Sequence, residues 1–219
     1  QLVAPHDTDV IKEVNKIIDI SNIRFEANSS LIEMIGENID NIFVEKIKTL
    51  SLSPDAIARH KDLKIVYSPI HGCGAKLVPM ALRAFGFENV IKVDEQFVLS
   101  GDFPTVVSPN PEESAALDLA IKKAKKVDAD IVMASDPDCD RIGIAVKNEK
   151  GEWVLINGNQ TCMVFTYYLI KKWQELGKLK GNEYVVKTIV TTELIKDIAR
   201  KANVELYDCY TGFKWIAAI

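Results

Sequence analysis

Short apolar runs alternate with amphipathic stretches along most of this 219-residue chain, and this alternation restricts the fold more than any other feature. The runs 64–67, 89–93 and 129–134 have the length and the β-branched content of strands. The segments between them, 75–86 and 112–126, carry apolar residues at helical spacing. Because strands that alternate with helices form parallel sheets with both faces covered, we expect an α/β fold.

The same pattern starts again near residue 157. Before that point, residues 142–146 and 153–156 predict an edge hairpin with its turn at 148–151. A second series follows, predicted as helix 159–176, strand 184–190, helix 193–202 and strand 204–208. We therefore predict two consecutive three-layer α/β/α units, residues 1–157 and 158–219, the second incomplete at its C-terminal end.

Two amphipathic stretches precede the first predicted strand. Residues 7–20 and 30–50 place apolar side chains at helical spacing, and each is predicted to be a helix. Neither stretch carries clustered catalytic residue types. We therefore expect their apolar faces to serve packing.

Composition excludes several classes of protein. Apolar residues make up 47% and charged residues 26%, which is typical of globular domains and not of disordered or fibrous chains. The net charge of −4 has the wrong sign for a protein that binds nucleic acid or an anionic membrane. The longest apolar runs, such as 215–219, fall far short of the about 20 residues that a membrane helix needs. We expect neither a nucleic-acid nor a membrane partner.

The cysteines and the chain ends carry further information. Cys73, Cys139, Cys162 and Cys209 form no C-x-x-C pair, which favours reduced thiols in the cytoplasm over a zinc site or a disulfide framework. The chain begins with Gln1 and ends inside an apparent helix. We therefore expect it to be part of a longer protein.

The most informative segment is the acidic loop, residues 135–141, with the sequence Ser-Asp-Pro-Asp-Cys-Asp-Arg. It directly follows an apolar strand, and open α/β sheets bind ligands at the carboxyl ends of their strands. Asp136, Asp138 and Asp140 repel one another, and a hard cation relieves that repulsion. We predict a Mg²⁺ site here, although a solvated turn uses the same residue types. Arg141 could hold a phosphate oxygen.

Two other acidic motifs do not match this loop. An EF-hand that starts at Asp136 needs Gly at its sixth position and Glu at its twelfth, where this chain has Arg141 and Lys147. A phosphatase of the haloacid dehalogenase type needs Thr or Val where this chain has Asp140, and it needs the motif on its first strand. Both alternatives are excluded.

A glycine-containing loop, residues 71–74, joins the first predicted strand to the next helix. Gly72 and Gly74, with Asp94 after the following strand, resemble part of a dinucleotide-binding fingerprint, but its third glycine is replaced by Leu77. An NAD(P)-binding oxidoreductase domain therefore stays an alternative. His71 either orders the loop or supports a metal-bound phosphate.

Over essentially its whole length the sequence resembles the α-D-phosphohexomutases, the phosphoglucomutase/phosphomannomutase superfamily. The acidic loop carries the resemblance most specifically. Four further segments support it: SPIHG at 68–72, PNPE at 109–112, KT and TT between 187 and 192, and TGFKW at 211–215. The last string is most similar to the branch that holds the larger phosphoglucomutases and the phosphopentomutases.

The resemblance implies a four-domain, Mg²⁺-dependent enzyme that interconverts sugar 1-phosphates and 6-phosphates, with a sugar 1,6-bisphosphate as activator. This chain would hold the second domain and the first half of the third. The family's phosphoserine lies on a Ser-His-Asn-Pro loop of the first domain, so Ser108, in a loop without the histidine, is not its counterpart. We therefore expect the chain to be inactive without the missing domains.

The resemblance also implies roles for individual residues. Asp136, Asp138 and Asp140 would bind Mg²⁺, and Arg141 would hold the phosphoserine or a nearby carboxylate. The other implied residues are His71 and Lys187 in catalysis, and Thr211, Gly212 and Lys214 in substrate binding. Lys187 would act as an acid or base only if its surroundings lower its pKa. Glucose, mannose and pentose phosphates all remain candidate substrates, and a non-catalytic module that binds metal or phosphosugar is a further alternative.

Overall fold

The computed structural model describes residues 4–219, and the chain divides into two compact units, Gln1–Ile39 and Asp40–Ile219. In the first unit, helix α1 spans His6–Val14 and is followed by short 3-10 turns at Ile20–Asn22 and Ser29–Leu31. The predicted helix 7–20 is therefore too long. It ends early because the amide of Lys16 bonds to Glu13, an i to i−3 bond that closes the helix, and the Asp19 side chain caps the next turn.

The expectation that the apolar residues of this segment serve packing is wrong for the described residues. Every residue from 4 to 39 is exposed, including Ile18 and Leu31. A segment shorter than about 40 residues seldom buries a core of its own. Helix α2 spans Glu37–Lys48 rather than the predicted 30–50, because Asn28 caps a separate turn and Gly36 follows it.

The second unit contains a five-stranded sheet of order β2-β1-β3-β4-β5. Its strands are β1 Lys64–Ser68, β2 Asn89–Lys92, β3 Ile131–Ser135, β4 Ile142–Lys147 and β5 Trp153–Ile156. Strands β1, β2 and β3 are parallel, whereas β4 and β5 form an antiparallel hairpin at one edge. The α/β class and the edge hairpin predicted from the sequence are confirmed.

The helices beside this sheet are α3 Pro54–Arg59, which the sequence analysis missed, α4 Gly74–Phe85 and α5 Asp118–Val127. The core lies where α5 packs on the sheet. Val66, Val132 and Ala145 lie in register across three strands and are fully buried. Ala120 and Ala124 of α5 are buried in the same core cluster, and their small side chains allow close packing. Burial of each large side chain contributes about 1.5–3 kcal/mol and holds the ends of β1 and β3 side by side.

A second, two-stranded parallel sheet follows the hairpin. Its elements are α6 Gly158–Glu175, β6 Tyr184–Thr188, α7 Leu194–Lys201, β7 Glu205–Cys209 and α8 Phe213–Ile216. The order matches the predicted series, although β6 ends two residues early because Thr191 turns back to bond to Thr188. The domain boundary at residue 157 stays a prediction. Within residues 4–219, no helix is both long and apolar enough to cross a membrane.

Candidate metal centre

The glycine-containing loop and the acidic loop meet at the carboxyl ends of β1 and β3, because these two strands are parallel neighbours and end together. The amide of Cys73 donates a hydrogen bond to the carbonyl of Pro137 over 2.9 Å. A Cβ atom on Gly72 would lie 2.2 Å from the Cα of Pro137, so only glycine fits there. The loop at 71–74 thus supports the acidic loop, a different use of its glycines from dinucleotide binding.

The carboxylates of Asp136, Asp138 and Asp140 converge, with one oxygen of each within 4.8 Å of the others. Asp136 is fully buried, whereas Asp138 and Asp140 are exposed. Contact with the Asp136 carboxylate raises the pKa of Asp140, which is the signature of like charges held close together. Three oxygen donors on one loop, partly open to solvent, fit a hard cation such as Mg²⁺, which keeps water or substrate oxygens in its other positions.

Arg141 binds the buried carboxylate of this cluster. Its backbone amide donates to Oδ1 of Asp136 over 2.9 Å, and its Nε donates to Oδ2 over 2.8 Å. Burial alone would raise the pKa of Asp136, but these hydrogen bonds, together with smaller contributions from Asp140 and Asp138, hold the pKa below its usual value. Of the two roles that the sequence implied for Arg141, the geometry therefore supports contact with a nearby carboxylate.

The turn at 108–113 supports the outer end of Arg141. Nη1 of Arg141 donates to Oδ1 of Asn110 over 3.3 Å, and the same oxygen accepts the amide of Glu112. Asn110 and Ser108 both donate to the carboxylate of Glu113, each over 3.1 Å. Ser108 therefore helps to form a turn, and its exclusion as the nucleophile stays a prediction. The contact between Asn110 and Arg141 was not predicted.

His71 belongs to a buried hydrogen-bond network. Its Nδ1 lies 2.7 Å from the carbonyl of Val98 and its Nε2 lies 2.8 Å from Oγ1 of Thr105. Thr105 accepts from Nε2 of Gln96, whose Oε1 accepts from Ser68 over 2.6 Å. A carbonyl only accepts, so Nδ1 carries a proton, and Nε2 shares a hydrogen bond with the Thr105 hydroxyl.

This network gives His71 a positioning role in the chain, and the predicted catalytic role of its ring stays a prediction. Both ring nitrogens have partners within the chain, and the side chain is buried. Ile70 and His71 have φ angles of 44° and 63°, an unfavourable backbone conformation for side chains other than glycine. The network therefore supports the strained turn beneath the acidic loop. Gln96 and Thr105 were missed because nothing in their local sequence marks them as partners of His71.

Lys187 is a buried, fully paired cation. Its side chain is 3% exposed, and Nζ lies 2.7 Å from Asp208, 2.8 Å from Glu193 and 3.3 Å from the carbonyl of Thr191. The hydrogen bonds to Asp208 and then to Glu193 raise the pKa of Lys187 above its usual value. Acid or base catalysis by Lys187 requires a lowered pKa, so this pairing does not support that role, which stays a prediction. Glu193 and Asp208 were not predicted as its partners.

The remaining predicted residues, Thr211, Gly212 and Lys214, lie at the start of α8 and are exposed. Nζ of Lys214 lies 4.9 Å from the centre of the Trp215 ring. These residues and Lys187 belong to the region of the two-stranded sheet, whereas the three aspartates, Arg141 and His71 share the edge of the five-stranded sheet. The structure therefore groups the predicted residues into two sets.

Comparisons with known proteins identify the family of the chain. Residues 41–151 match the family described as phosphoglucomutase/phosphomannomutase, alpha/beta/alpha domain II, and residues 157–219 match its alpha/beta/alpha domain III. The chain is 33% identical over 215 residues to a phosphomannomutase of Mycoplasmoides pirum, covering 98% of this chain and 38% of that protein. It is 32% identical to a glucose 1,6-bisphosphate synthase of Mus musculus, covering 100% of this chain and 36% of that protein.

Two further comparisons extend the set of relatives. A phosphopentomutase of Mus musculus is 29% identical, covering 99% of this chain and 36% of that protein. Among solved structures, a putative phosphomannomutase of Thermus thermophilus superposes with a TM-score of 0.63 at 21% identity, covering 82% of this chain and 38% of that one. The chain thus spans well under half the length of these relatives. By its sequence, the chain belongs to the phosphoglucomutase/phosphomannomutase family.

Proposed function

We propose that the chain is the metal-binding portion of a phosphohexomutase, an intramolecular phosphotransferase that interconverts sugar 1-phosphates and 6-phosphates. The observation that carries the proposal is the convergence of Asp136, Asp138 and Asp140 at the carboxyl ends of the parallel strands β1 and β3. In this proposal, residues 1–157 form the second domain and residues 158–219 the first half of the third. The phosphoserine belongs to a part of the longer protein outside this chain.

The three aspartates would hold Mg²⁺, which when bound offsets the negative charge that develops on a transferring phosphoryl group. Arg141 keeps the buried Asp136 ionised and oriented by occupying both of its oxygens. Gly72 and Cys73 fix the loop that carries the aspartates, and His71 holds the turn below it. Thr211, Gly212 and Lys214 are proposed to contact the phosphosugar, because they form one exposed loop that ends in a cation.

The names of the relatives differ in the sugar phosphate that they indicate. Names among them include phosphomannomutase and phosphopentomutase, at 33% and 29% identity, so both hexose and pentose phosphates are candidates. The name of the glucose 1,6-bisphosphate synthase supports a sugar bisphosphate as activator. We do not propose NAD(P) binding, because the Cys73 amide bonds to Pro137 and the chain belongs to a mutase family. A cytoplasmic location stays a prediction.

The test is a coupled mutase assay on the longer protein that contains this chain. Glucose 1-phosphate, mannose 1-phosphate and ribose 1-phosphate are offered with a sugar bisphosphate and Mg²⁺. We expect turnover of at least one sugar, its loss with a chelator, and a fall of about 100-fold or more in Asp138→Asn, because one of three metal ligands loses its charge. Glu149→Gln, which changes an exposed carboxylate in the β4–β5 turn, is the matched control.

Three outcomes would contradict the proposal. Turnover by residues 1–219 alone would contradict the expected need for a phosphoserine outside this chain. Turnover that persists in Asp138→Asn and in the presence of a chelator would contradict the role of the acidic loop. The third outcome is a folded longer protein that retains the Ser-His-Asn-Pro loop but turns over none of the three sugars. That outcome would favour a non-catalytic module that binds metal or phosphosugar.

A further inference from the structure

Two of the four cysteines lie where the glycine-containing loop contacts the acidic loop. Cys73 immediately precedes α4, and its amide bonds to the carbonyl of Pro137. Cys139 lies two residues after Pro137, between Asp138 and Asp140. Both cysteines are exposed. The backbone hydrogen bond therefore holds two accessible thiol-bearing residues next to each other on separate loops.

The side chain of Cys139 points back toward the start of α4. A Cβ atom on Gly74, the residue after Cys73, would lie 3.1 Å from Sγ of Cys139. A cavity of about 200 Å³ adjoins Cys139, with Tyr67 and Ser135 among its lining residues, so a small molecule has room to approach the sulfur.

The other two cysteines lie elsewhere. Cys162 is on α6 and Cys209 is the last residue of β7. Neither belongs to the loops that meet at the acidic cluster. They serve as internal controls for thiol reactivity.

We infer that Cys73 and Cys139 form a reversible disulfide when the protein meets a peroxide, and that this bond switches off cation binding by the acidic loop. The first thiol reduces the peroxide, its sulfur takes one oxygen to become a sulfenic acid, and water leaves from hydrogen peroxide. The second thiol attacks that sulfur, an S–S bond forms, and the sulfenic oxygen leaves as a second water. Two thiols lose two electrons to one peroxide, so the reaction balances.

The effect on the cation follows from the position of Cys139. A disulfide fixes its two Cα atoms about 4.4–6.8 Å apart, which would fix residue 139 against the start of α4. Asp138 and Asp140 flank that residue, so a bond that shifts residue 139 would move their carboxylates out of the converged arrangement that suits an ion. In a reducing compartment such an exposed disulfide is transient, as regulatory disulfides are. Formation of the disulfide is independent of the proposed function, whereas its effect on cation binding rests on the proposed function.

The first experiment detects the bond directly. The chain is treated with hydrogen peroxide, its free thiols are counted, and its peptides are mapped by mass spectrometry without reduction. We expect loss of two thiols and one cross-linked peptide that joins Cys73 to Cys139. Cys73→Ser and Cys139→Ser should each abolish that peptide, whereas Cys162→Ser and Cys209→Ser should retain it. A folded protein that yields no such peptide, or a different pairing, would overturn the inference.

The second experiment measures the affinity of the chain for the cation. Mg²⁺ binding is measured by calorimetry on the reduced, oxidised and re-reduced chain. We expect oxidation to weaken Mg²⁺ binding by about tenfold or more, because changes to the groups that orient metal ligands have effects of that size, and we expect reduction to restore it. Unchanged affinity in the cross-linked chain would overturn the switch. Failure of the reduced chain to bind Mg²⁺ would instead overturn the proposed metal role and the switch together, while the cross-linked peptide would still support the disulfide.

Discussion

Charged side chains that the sequence marks as functional lie near the ends of both β3 and β6. The structure gives the carboxylates after β3 and the lysine of β6 very different partners. Beyond β3, Asp136 has one cationic partner, and Asp138 and Asp140 add negative charge in the open. At β6, Lys187 is enclosed by two carboxylates and a carbonyl. The first cluster has negative charge that no cation among the described residues offsets, and it can recruit a cation, whereas the positive charge of Lys187 is fully offset within the chain. Charge in a strand-end loop indicates a ligand site only when it is left uncompensated.

The largest effect should come from the residue that supports the acidic loop. Gly72→Ala places a Cβ atom 2.2 Å from the Cα of Pro137, and backbone cannot yield as a flexible side chain does. We expect a loss of about 3 kcal/mol in the free energy of unfolding, measured by urea denaturation, and loss of Mg²⁺ binding.

Gly101→Ala is the control for that substitution. A Cβ atom there would meet nothing within 4 Å among residues 4–219, so we expect a change within about 0.5 kcal/mol. If Gly72→Ala were as mild as its control, the close support of the acidic loop would be wrong.

The second effect tests whether the Lys187 cluster is structural. Lys187→Met leaves Asp208 and Glu193 without their cation, and we expect a loss of about 2 kcal/mol at pH 7. The loss is smaller than for a fully buried pair because the two carboxylates are 38% and 69% exposed. The ion pairs raise the pKa of Lys187 above its ordinary 10.5. Their contribution is therefore complete below pH 10.5 and disappears as pH rises through the higher folded value.

The measurement is urea unfolding of both proteins between pH 7 and pH 12, with the exposed Lys214→Met as control. The difference between wild type and Lys187→Met should shrink only above pH 10.5, while Lys214→Met stays near wild type throughout. A Lys187→Met protein of normal stability but without mutase activity in the longer protein would support the predicted catalytic role of Lys187.

The smallest effect on stability concerns the hydrogen-bond network beneath the acidic loop. Thr105→Val removes the hydroxyl that joins Gln96 to His71 and leaves two buried groups without a partner, so we expect a loss of about 1–2 kcal/mol. Thr49→Val, in which an exposed hydroxyl at the end of α2 is lost, should change stability by less. Equal stability of the two variants in urea would show that the network does not hold the turn.

The sequence predicted the elements that depend on local pattern. Strands β1 and β3, helix α4 and the hairpin follow from periodicity and turn residues, and the acidic loop was recognisable because its three aspartates follow a buried strand. Local sequence patterns gave wrong predictions where contacts between distant parts of the chain determine whether a side chain is buried. The apolar spacing of 7–20 predicted a packed helix, yet α1 ends at Val14 and its apolar side chains are exposed.

The sequence by itself therefore determined the α/β class, the family and the position of the aspartates, because these depend on spacing along the chain. Only the tertiary structure decided what each charged or polar side chain meets. Asp208 lies beside Lys187 because β6 and β7 pair in parallel, and Thr105 reaches His71 across a loop. Such partners are distant in sequence and set protonation and orientation, so the roles of Lys187 and His71 depended on the fold rather than on their motifs.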